Sequence, residues 1–325
     1  MQVARFVAAL LVVVTHTTYY AQERAGSPIG VWHFGEIGVP IFFVISGLVM
    51  VLSTAKMPSD SGGARTFLLR RFVRIVPLYW LATAAKVAVA LLAPAVVNHN
   101  HFQVDHAIKS FLFIPYFNGA GELRPMHGVG WTLLHEVYFY LLFAASLAAG
   151  RRPILWVSGV ILAGWLVGVT IQDKSAFVTV ATSQINLHFV LGMAAGWVLL
   201  NRRAASAVIL YGAAGLLACG LVVGSNAAVI TAFAVSVLAL SRHQLSTAWQ
   251  PVVALGDSSY SLYLFHPFIA PALVVLIGRR LELAPGLTIG LTCFVTVLIS
   301  HLLHLIIERP VVRRVRESLR ARGLA

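Results

Sequence analysis

Long apolar runs recur along the chain of 325 residues, and short clusters of charged, proline and glycine residues separate them. Most runs are about 17 to 25 residues long, the length that an α-helix needs to cross the hydrocarbon layer of a bilayer. We therefore predict an all-α integral membrane protein, a polytopic bundle of about ten transmembrane helices. The predicted spans lie near residues 4–22, 36–55, 74–94, 127–149, 153–171, 183–200, 204–222, 225–241, 256–278 and 285–307.

The composition supports this class, because 59% of the residues are apolar and 11% are charged, whereas soluble domains are about 25% charged. The two cysteines, Cys219 and Cys293, both lie in apolar runs. That placement predicts packing residues and argues against a disulfide framework or a zinc site. We expect one domain over residues 1–325, with a short basic tail at 309–325.

Lysine and arginine residues are unevenly distributed among the predicted loops. Most of the 24 Lys and Arg residues fall in alternate loops and in the tail, and basic residues stay preferentially on the cytoplasmic side of a membrane. The pattern therefore predicts that both termini are cytoplasmic. This placement explains the formal net charge of +13 without a nucleic-acid partner. The arginine-rich tail fits either a contact with anionic lipid or the exposed end of a helix.

The first predicted span carries two ionisable residues, Arg5 at its start and His16 in its interior, in the segment RFVAALLVVVTH. At about 1.5 Å per helical residue, His16 lies about 16 Å beyond Arg5, near the middle of the membrane. An ionisable side chain at that depth is by default a candidate functional residue. The alternative is an imidazole that is hydrogen-bonded to a neighbouring helix or to water.

The segment FLLRRFVRIVPLYW places Arg70, Arg71 and Arg74 at the cytoplasmic mouth of the third predicted span. Arg71 and Arg74 are three residues apart and therefore lie on one helical face. Guanidinium groups bind phosphate through paired hydrogen bonds, so the pair fits a phosphorylated cytosolic ligand. Anchoring of the helix end by positive charge is the alternative interpretation.

The fourth predicted span buries His135 and Glu136 in the segment WTLLHEVYFY. A carboxylate at that depth is costly unless it is paired or protonated. Because this helix descends through the membrane while the first helix ascends, Glu136 and His16 can reach the same layer. The sequence thus predicts a histidine and a glutamate that share acid–base work.

The segment SYSLYLFHP near the start of the ninth predicted span contains His266, followed directly by Pro267. Proline removes one hydrogen bond of a helix, so His266 is predicted either to line a cavity or to cap a kinked core helix. In the last span, one face carries His301, His304 and Glu308. Their order differs from the HExxH zinc motif, and we predict no metal site.

Six segments together resemble the membrane-bound acyltransferase 3 family, particularly its bacterial exopolysaccharide O-acyltransferase branch. They are RFVAALLVVVTH, GVPIFFVISGLVM, RRFVRIVPLYW, WTLLHEVYFY, SYSLYLFHP and the closing IERP, and they cover essentially the whole chain in the order of the family. The chain departs from the family pattern at Phe6, where glycine is usual, and at His135, where an apolar or aromatic residue is common.

This resemblance implies an O-acyltransferase with many membrane spans in the bacterial cytoplasmic (inner) membrane. Such an enzyme takes an acyl group, usually acetyl, from cytoplasmic acyl-CoA and passes it to a hydroxyl of an exopolysaccharide, an O-antigen or a lipid-linked glycan. Acyl-CoA is then a donor substrate, and no tightly bound cofactor is expected. The implied partners are the donor, the glycan acceptor and the lipid bilayer.

The resemblance also implies roles for particular residues. Arg5 and His16 match the required Arg-x10-His pair of the family. Arg71 and Arg74 match the basic RxxR segment that is associated with CoA. We predict that His16 is the general base, that Arg5 stabilises the charge of the thioester or of CoA, and that Glu136 orients His16 or relays its proton. The predicted substrate-binding or cavity-lining residues are Trp131, Tyr260 and His266.

The same residues fit two other functions. In a transporter or flippase for a lipid-linked sugar or a proton-coupled solute, His16, Glu136 and His266 would form a proton relay. The sequence shows no inverted repeat of the kind that marks many transporters, and the basic segment at Arg71 also counts against transport. A non-catalytic partner in envelope biosynthesis would tolerate substitution of both His16 and Arg71.

Overall fold

The computed structural model describes residues 1–93, 103–201 and 247–321. Within these ranges the chain forms helices and turns and contains no β-strand. Eight described segments are long and apolar enough to cross a membrane, and each coincides with one predicted span. The other two predicted spans, near 204–222 and 225–241, lie outside the described residues. The predicted class, an all-helical polytopic membrane protein, is confirmed.

The described ranges contain twelve α-helices, numbered here in chain order. They are α1 (Gln2–Ala25), α2 (Gly38–Thr54), α3 (Ser61–Leu92), α4 (Val104–Phe111), α5 (Trp131–Ala148), α6 (Pro153–Thr170), α7 (Ala176–Ala181), α8 (Leu187–Leu200), α9 (Gln250–Asp257), α10 (Ser259–Val274), α11 (Pro285–Leu303) and α12 (Arg309–Ala321). Short 3-10 helices lie at His33–Ile37, Gly128–Gly130, Gln184–Asn186 and Thr247–Trp249. Turns of π-helix extend α10 over Val275–Arg280 and α11 over His304–Glu308.

The described residues fall into two compact units. The first unit comprises the described parts of Met1–Ser53 and Leu191–Ile306, and the second comprises those of Thr54–Val190 and Ile307–Ala325. The first unit thus contains α1, α2, α9, α10 and α11, and the second contains α3 to α7 together with α12. The single domain expected over residues 1–325 stays a prediction.

In the first unit, α1 packs against α9, α10 and α11. Its approach to the start of α2 is close because glycine provides the space: a Cβ on Gly38 would lie 2.3 Å from the carbonyl oxygen of Ala8. Two hydrogen bonds hold the preceding segment on α1. The Thr15 hydroxyl donates to the Trp32 carbonyl over 2.8 Å, and the Trp32 N–H donates to Thr18 Oγ1 over 3.0 Å.

One face of α11 is lined with small hydroxyl side chains. Every fourth residue of this face is a threonine or serine, and none is more than 3% exposed. Small residues let membrane helices approach closely, because their backbones can then pack directly. This face supports the contacts of α11 with α1 and α10. Its members are Thr288, Thr292, Thr296 and Ser300.

Helix α10 passes through two prolines, Pro267 and Pro271, and continues to Val274. The helix therefore does not end at Pro267. Membrane helices tolerate proline where neighbouring groups satisfy the backbone carbonyls that lose their donors. The residue before Pro267 is His266, so the ring of this histidine is presented from the interior of a continuous helix.

In the second unit, α3 packs against α5 and begins well before the predicted boundary at residue 74. Asp60 caps its start, because one carboxylate oxygen accepts the N–H of Gly63 over 2.7 Å. Such a cap satisfies a donor that has no partner within the helix. Arg71 and Arg74 consequently lie inside α3, about three turns from its first residue.

Aromatic rings form the contact between α3 and its neighbours in the second unit. The rings of Phe67 and Phe143 stack with centroids 5.1 Å apart. On the α5 side, Phe139 stacks almost parallel on Phe189 at 4.2 Å. At the start of α5, Gly130 admits Tyr79, since a Cβ there would lie 2.8 Å from the tyrosine ring. These contacts fix the sides of α3 and α5 that carry the charged residues described below.

The basic tail forms helix α12, which packs against α3. Its arginines Arg313 and Arg314 are exposed, whereas Val311 and Val315 are half-buried. The tail is therefore an amphipathic helix with an apolar side toward the protein and a basic side toward its surroundings. The predicted contact of this basic side with anionic lipid stays a prediction.

Candidate active site

Two histidines from distant parts of the chain meet in the first unit. His16 on α1 and His266 on α10 approach until His16 Nδ1 and His266 Nε2 are 3.0 Å apart, a hydrogen-bonding distance. The ring centroids lie 4.9 Å apart and the ring planes make an angle of 30°. Because 250 positions separate the two residues, only the packing of α10 on α1 brings them together.

His266 is also held by its own helix. Its Nδ1 lies 3.1 Å from the carbonyl oxygen of Leu262, one turn earlier in α10. The His266 ring is 0% exposed, whereas His16 is half-buried and stacks on Tyr20 with ring centroids 6.3 Å apart. The pair is thus closed by protein around His266 and more accessible around His16.

Apolar residues precede both histidines by about one helical turn, Val13 in α1 and Leu262 in α10. Ala9, Val13, Leu262 and Cys293 form one buried cluster. In such surroundings a hydrogen bond is electrostatically stronger than in water. The alternative interpretation of His16 expected a bond to a neighbouring helix, and that bond is present. The bond joins His16 Nδ1 to His266 Nε2, and a chemical role for His16 is compatible with it.

Arg5 lies on the same face of α1 as His16. The helix is continuous from Gln2 to Ala25, and a separation of eleven residues is close to three full turns at about 3.6 residues per turn. Arg5 Nε is buried and has no hydrogen-bond partner among the described residues. The Arg-x10-His spacing therefore places a buried N–H donor on the helix face of the imidazole, about three turns before it.

The second unit contains a cluster of charged residues on α3 and α5. The Tyr140 hydroxyl donates a hydrogen bond to the Glu136 carboxylate, one turn earlier in α5. The charges of Glu136, Arg71 and Arg74 all act on this hydroxyl. Tyr140 is buried, and the other three residues are half-buried. The arginine pair thus lies within electrostatic reach of a carboxylate that tyrosine orients. These four residues are called the arginine–glutamate cluster.

The Arg71 guanidinium is positioned by an aromatic ring. Its central carbon lies 5.8 Å from the centroid of the Phe67 ring, a cation–π distance. Phe67 in turn packs edge-on against Tyr140, with centroids 6.0 Å apart. The Arg71 Nε is buried and has no hydrogen-bond partner among the described residues. A guanidinium held in this way, with a donor unused by the described protein, suits an anionic ligand such as phosphate.

Glu136 and His135 are neighbours in sequence, yet their side chains have different surroundings. His135 is 2% exposed, and its Nδ1 lies 3.0 Å from Asn186 Oδ1. The Asn186 amide nitrogen donates to the Val180 carbonyl over 2.7 Å. His135 is therefore part of a buried structural network, whereas Glu136 bonds to Tyr140. That Glu136 orients His16 stays a prediction.

Two further predicted site residues are half-buried and lie near helix starts. Trp131 is the first residue of α5, and its ring packs edge-on against His135 at 5.9 Å. Tyr260 is the second residue of α10. Their predicted contacts with substrate stay predictions.

Sequence reasoning missed two hydrogen-bonding side chains. Tyr140 follows Glu136 by four residues, a spacing that places both on one helical face and could have indicated the pair. The Ser258 hydroxyl, at the start of α10, donates to the Leu255 carbonyl over 2.9 Å and lies 3.2 Å from His301 Nδ1. Among the described residues, no group of three His, Cys, Asp or Glu side chains could hold a metal ion.

Comparisons with known proteins identify the family. A family model for an acyltransferase domain matches residues 1–305. The exopolysaccharide production protein ExoZ of Rhizobium meliloti (strain 1021) is 34% identical over 333 residues, covering 94% of this chain and 98% of that protein. The acyltransferase MdmB of Streptomyces mycarofaciens is 25% identical over 364 residues, covering 95% of this chain and 90% of that protein.

A shorter match is to a protein whose name also describes acyl transfer. The peptidoglycan O-acetyltransferase OatA of Listeria monocytogenes (serovar 1/2a, strain ATCC BAA-679 / EGD-e) is 29% identical over 123 residues, covering 35% of this chain and 20% of that protein. No solved structure gives a significant match. The family model, the nearly full-length relatives and the Arg-x10-His helix agree. The chain therefore belongs to the acyltransferase 3 family and is a multi-pass membrane O-acyltransferase.

Proposed function

We propose that this protein transfers an acyl group, usually acetyl, from cytoplasmic acyl-CoA to a hydroxyl of an exopolysaccharide, an O-antigen or a lipid-linked glycan. The observation that carries the proposal is the partly buried hydrogen bond between His16 Nδ1 and His266 Nε2. It holds a half-buried imidazole in one orientation, on the same helix face as Arg5. A general base needs such positioning more than it needs a large change in acidity.

The reaction follows from these groups. His16 takes the proton of the acceptor hydroxyl as the oxygen attacks the thioester carbonyl, so that a C–O bond forms and the C–S bond breaks. The proton on His16 then passes to the departing CoA thiolate, which restores the neutral imidazole. Arg5 lies about 16 Å before His16 along α1, so its guanidinium stabilises the negative charge of the CoA part of the donor. Atoms and charge balance in this sequence without any further reactant.

The arginine–glutamate cluster supports the donor part of the proposal. Arg71 and Arg74 bind the phosphates of CoA through charge-assisted hydrogen bonds. The buried Arg71 Nε without a protein partner supports this role, because a buried donor is costly unless it is satisfied. Acyl-CoA is a substrate in this scheme and no resident cofactor is required. Glu136 accepts the hydrogen bond of Tyr140. That Glu136 orients His16 or relays its proton stays a prediction from the sequence.

The names of the relatives support a glycan acceptor. The ExoZ relative is described by its part in exopolysaccharide production, and the OatA relative as an O-acetyltransferase of peptidoglycan. A sugar hydroxyl is the chemistry that these two names share. Within this proposal Trp131 and Tyr260 contact the acceptor, since half-buried aromatic rings offer both an apolar face and a polar edge.

The proposed location is the bacterial cytoplasmic membrane, with both termini in the cytoplasm. Support comes from the Lys and Arg residues, which concentrate in alternate loops and in the tail, as the positive-inside rule requires. The donor then enters from the cytoplasm. The transporter or flippase alternative uses the same buried histidines as a proton relay, and it is distinguished by the experiment that follows.

The test is mass spectrometry of surface glycans from the native host. Strains carrying the intact gene, a deletion, His16→Ala, or His188→Ala are compared. His188 is a second half-buried membrane-helix histidine, bonded to the Ile185 carbonyl over 2.9 Å, and serves as the matched control. We expect loss of a fixed acyl mass in the deletion and His16→Ala strains and its retention in His188→Ala. Unchanged acylation with altered glycan export in the deletion strain would favour transport.

A further inference from the structure

The hydrogen bonds of His266 determine which of its nitrogens carries the proton. A carbonyl oxygen only accepts hydrogen bonds, so the bond between His266 Nδ1 and the Leu262 carbonyl (3.1 Å) requires a proton on Nδ1. A neutral imidazole carries one N–H proton. His266 Nε2 is therefore the acceptor nitrogen of this ring.

The same reasoning extends to His16. Because His266 Nε2 accepts, the 3.0 Å contact with His16 Nδ1 requires that His16 Nδ1 donates. The proton of neutral His16 is then on Nδ1, and its Nε2 carries the lone pair. The partner of one ring nitrogen thus decides the state of the other, as it does in metal and catalytic histidines.

We propose that His266 is a positioning residue: the line from the Leu262 carbonyl through His266 to His16 fixes the tautomer in which His16 Nε2 is the basic atom. The inference rests on the proposed function in one respect, namely that His16 takes the proton of the acceptor hydroxyl. It also revises the predicted role of His266, whose ring is 0% exposed and therefore unsuited to binding the acceptor directly.

The geometry explains why a second histidine is useful at this position. An imidazole without such a partner places its proton mostly on Nε2, the nitrogen that must be unprotonated to act as the base here. A carboxylate could accept from His16 Nδ1 as well, but burial of an unpaired charge in this apolar cluster would be costly. A neutral acceptor, itself anchored by a backbone carbonyl, selects the same tautomer without introducing charge.

Three variants separate tautomer control from packing. In His266→Gln, the side-chain carbonyl oxygen reaches the position of Nε2 and accepts the proton of His16 Nδ1. His266→Phe keeps a planar ring but removes the acceptor. Leu264→Val is the matched control, because Leu264 is also 0% exposed in α10 and its truncation leaves the line of hydrogen bonds in place.

The kinetic expectation uses purified protein in detergent, acetyl-CoA and deacylated host glycan. We expect His266→Phe to lower kcat by about 100-fold, within the range of general-base contributions, with both KM values unchanged. His266→Gln should retain kcat within about threefold of the wild-type value, since the acceptor is preserved. Leu264→Val should lower the protein yield rather than kcat. Equal kcat values in His266→Phe and the wild type would overturn the proposal.

A spectroscopic measurement tests the tautomer without any turnover. Protein labelled with ¹⁵N-histidine is studied by NMR, and the His16 signals are assigned by their absence in His16→Ala. We expect His16 to be protonated on Nδ1 in the wild type and in His266→Gln, and on Nε2 in His266→Phe. A wild-type His16 protonated on Nε2 would refute the inference even if His16→Ala abolishes acylation. Full acylation by His16→Ala would instead refute the proposed base, while the NMR result still decides the tautomer.

Discussion

The histidine pair of the first unit and the arginine–glutamate cluster of the second differ in how they are held. His16 and His266 form a directed pair that ends on a backbone carbonyl. The arginine–glutamate cluster contains charges of both signs, and a tyrosine hydroxyl donates to its carboxylate. Hydrogen bonds fix the direction of a ring, whereas charges provide attraction over a longer range. The first arrangement suits proton transfer and the second suits binding of an anion.

The two sites also differ in their origin along the chain. Arg71 and Arg74 are three residues apart in α3, and Glu136 and Tyr140 are four apart in α5, so helical periodicity alone aligns each pair. His16 and His266 are 250 positions apart. Only their tertiary contact creates the pair. Because the histidine pair suits proton transfer and the arginine–glutamate cluster suits anion binding, we expect substitutions at the first to lower kcat and at the second to raise the donor KM.

The largest expected effect is that of His16→Ala. Loss of the base should lower kcat by about 10³-fold, within the range typical of general acid–base residues. Because the two histidines act as a unit, the double variant His16→Ala with His266→Phe should be no slower than His16→Ala alone. Steady-state kinetics on purified variants tests both statements. A kcat loss in the double variant equal to the product of the two single losses would show that His16 and His266 act independently.

A second expected effect concerns stability in the first unit. A Cβ on Gly256 would lie 2.2 Å from the Gln2 carbonyl oxygen, so Gly256→Ala must push α9 away from the start of α1. Overpacking of this kind costs about 1–3 kcal/mol. Thermal unfolding in detergent should show a lower midpoint. Gly290→Ala is the control, because nothing lies within 4 Å of its Cβ position.

The third prediction addresses the arginine pair. Arg71→Ala should raise the KM for acyl-CoA by about tenfold, the loss expected for one hydrogen bond to a charged group, with little change in kcat. Arg70→Ala is the matched control, since Arg70 is adjacent but exposed. Measurement of KM over a range of donor concentrations distinguishes them. An equal rise in both variants would indicate a general effect of charge rather than a specific site.

The smallest expected effect is that of Tyr140→Phe. Without the hydroxyl, the Glu136 carboxylate competes for the arginines, and the donor KM should rise about threefold. The effect is small because the hydroxyl acts on the arginines only through Glu136. Tyr138→Phe serves as the control, because Tyr138 is a half-buried tyrosine of the same helix. An unchanged donor KM in Tyr140→Phe would show that Tyr140 does not tune the arginine pair.

Much of the fold follows from local pattern. Apolar runs of spanning length identified the eight described segments that can cross a membrane, because hydrocarbon requires every backbone group to be satisfied within its own helix. Helix α3 extends before the predicted span near 74–94, because its first turns are polar and the apolar pattern contains no signal for them. The cap at Asp60 does carry such a signal, in an acidic residue just before the helix.

In the candidate site, too, some features follow from local spacing and others from tertiary packing. The Arg-x10-His and RxxR spacings are helical periods, so the sequence by itself determined that Arg5 shares a face with His16 and Arg71 with Arg74. It also determined the family through the order of its motifs. The tertiary structure alone decided that His16 bonds to His266, and that His135 and Glu136 have separate partners. The physical reason is that a helix fixes angles between its own residues, whereas packing between helices chooses which distant side chain completes each hydrogen bond.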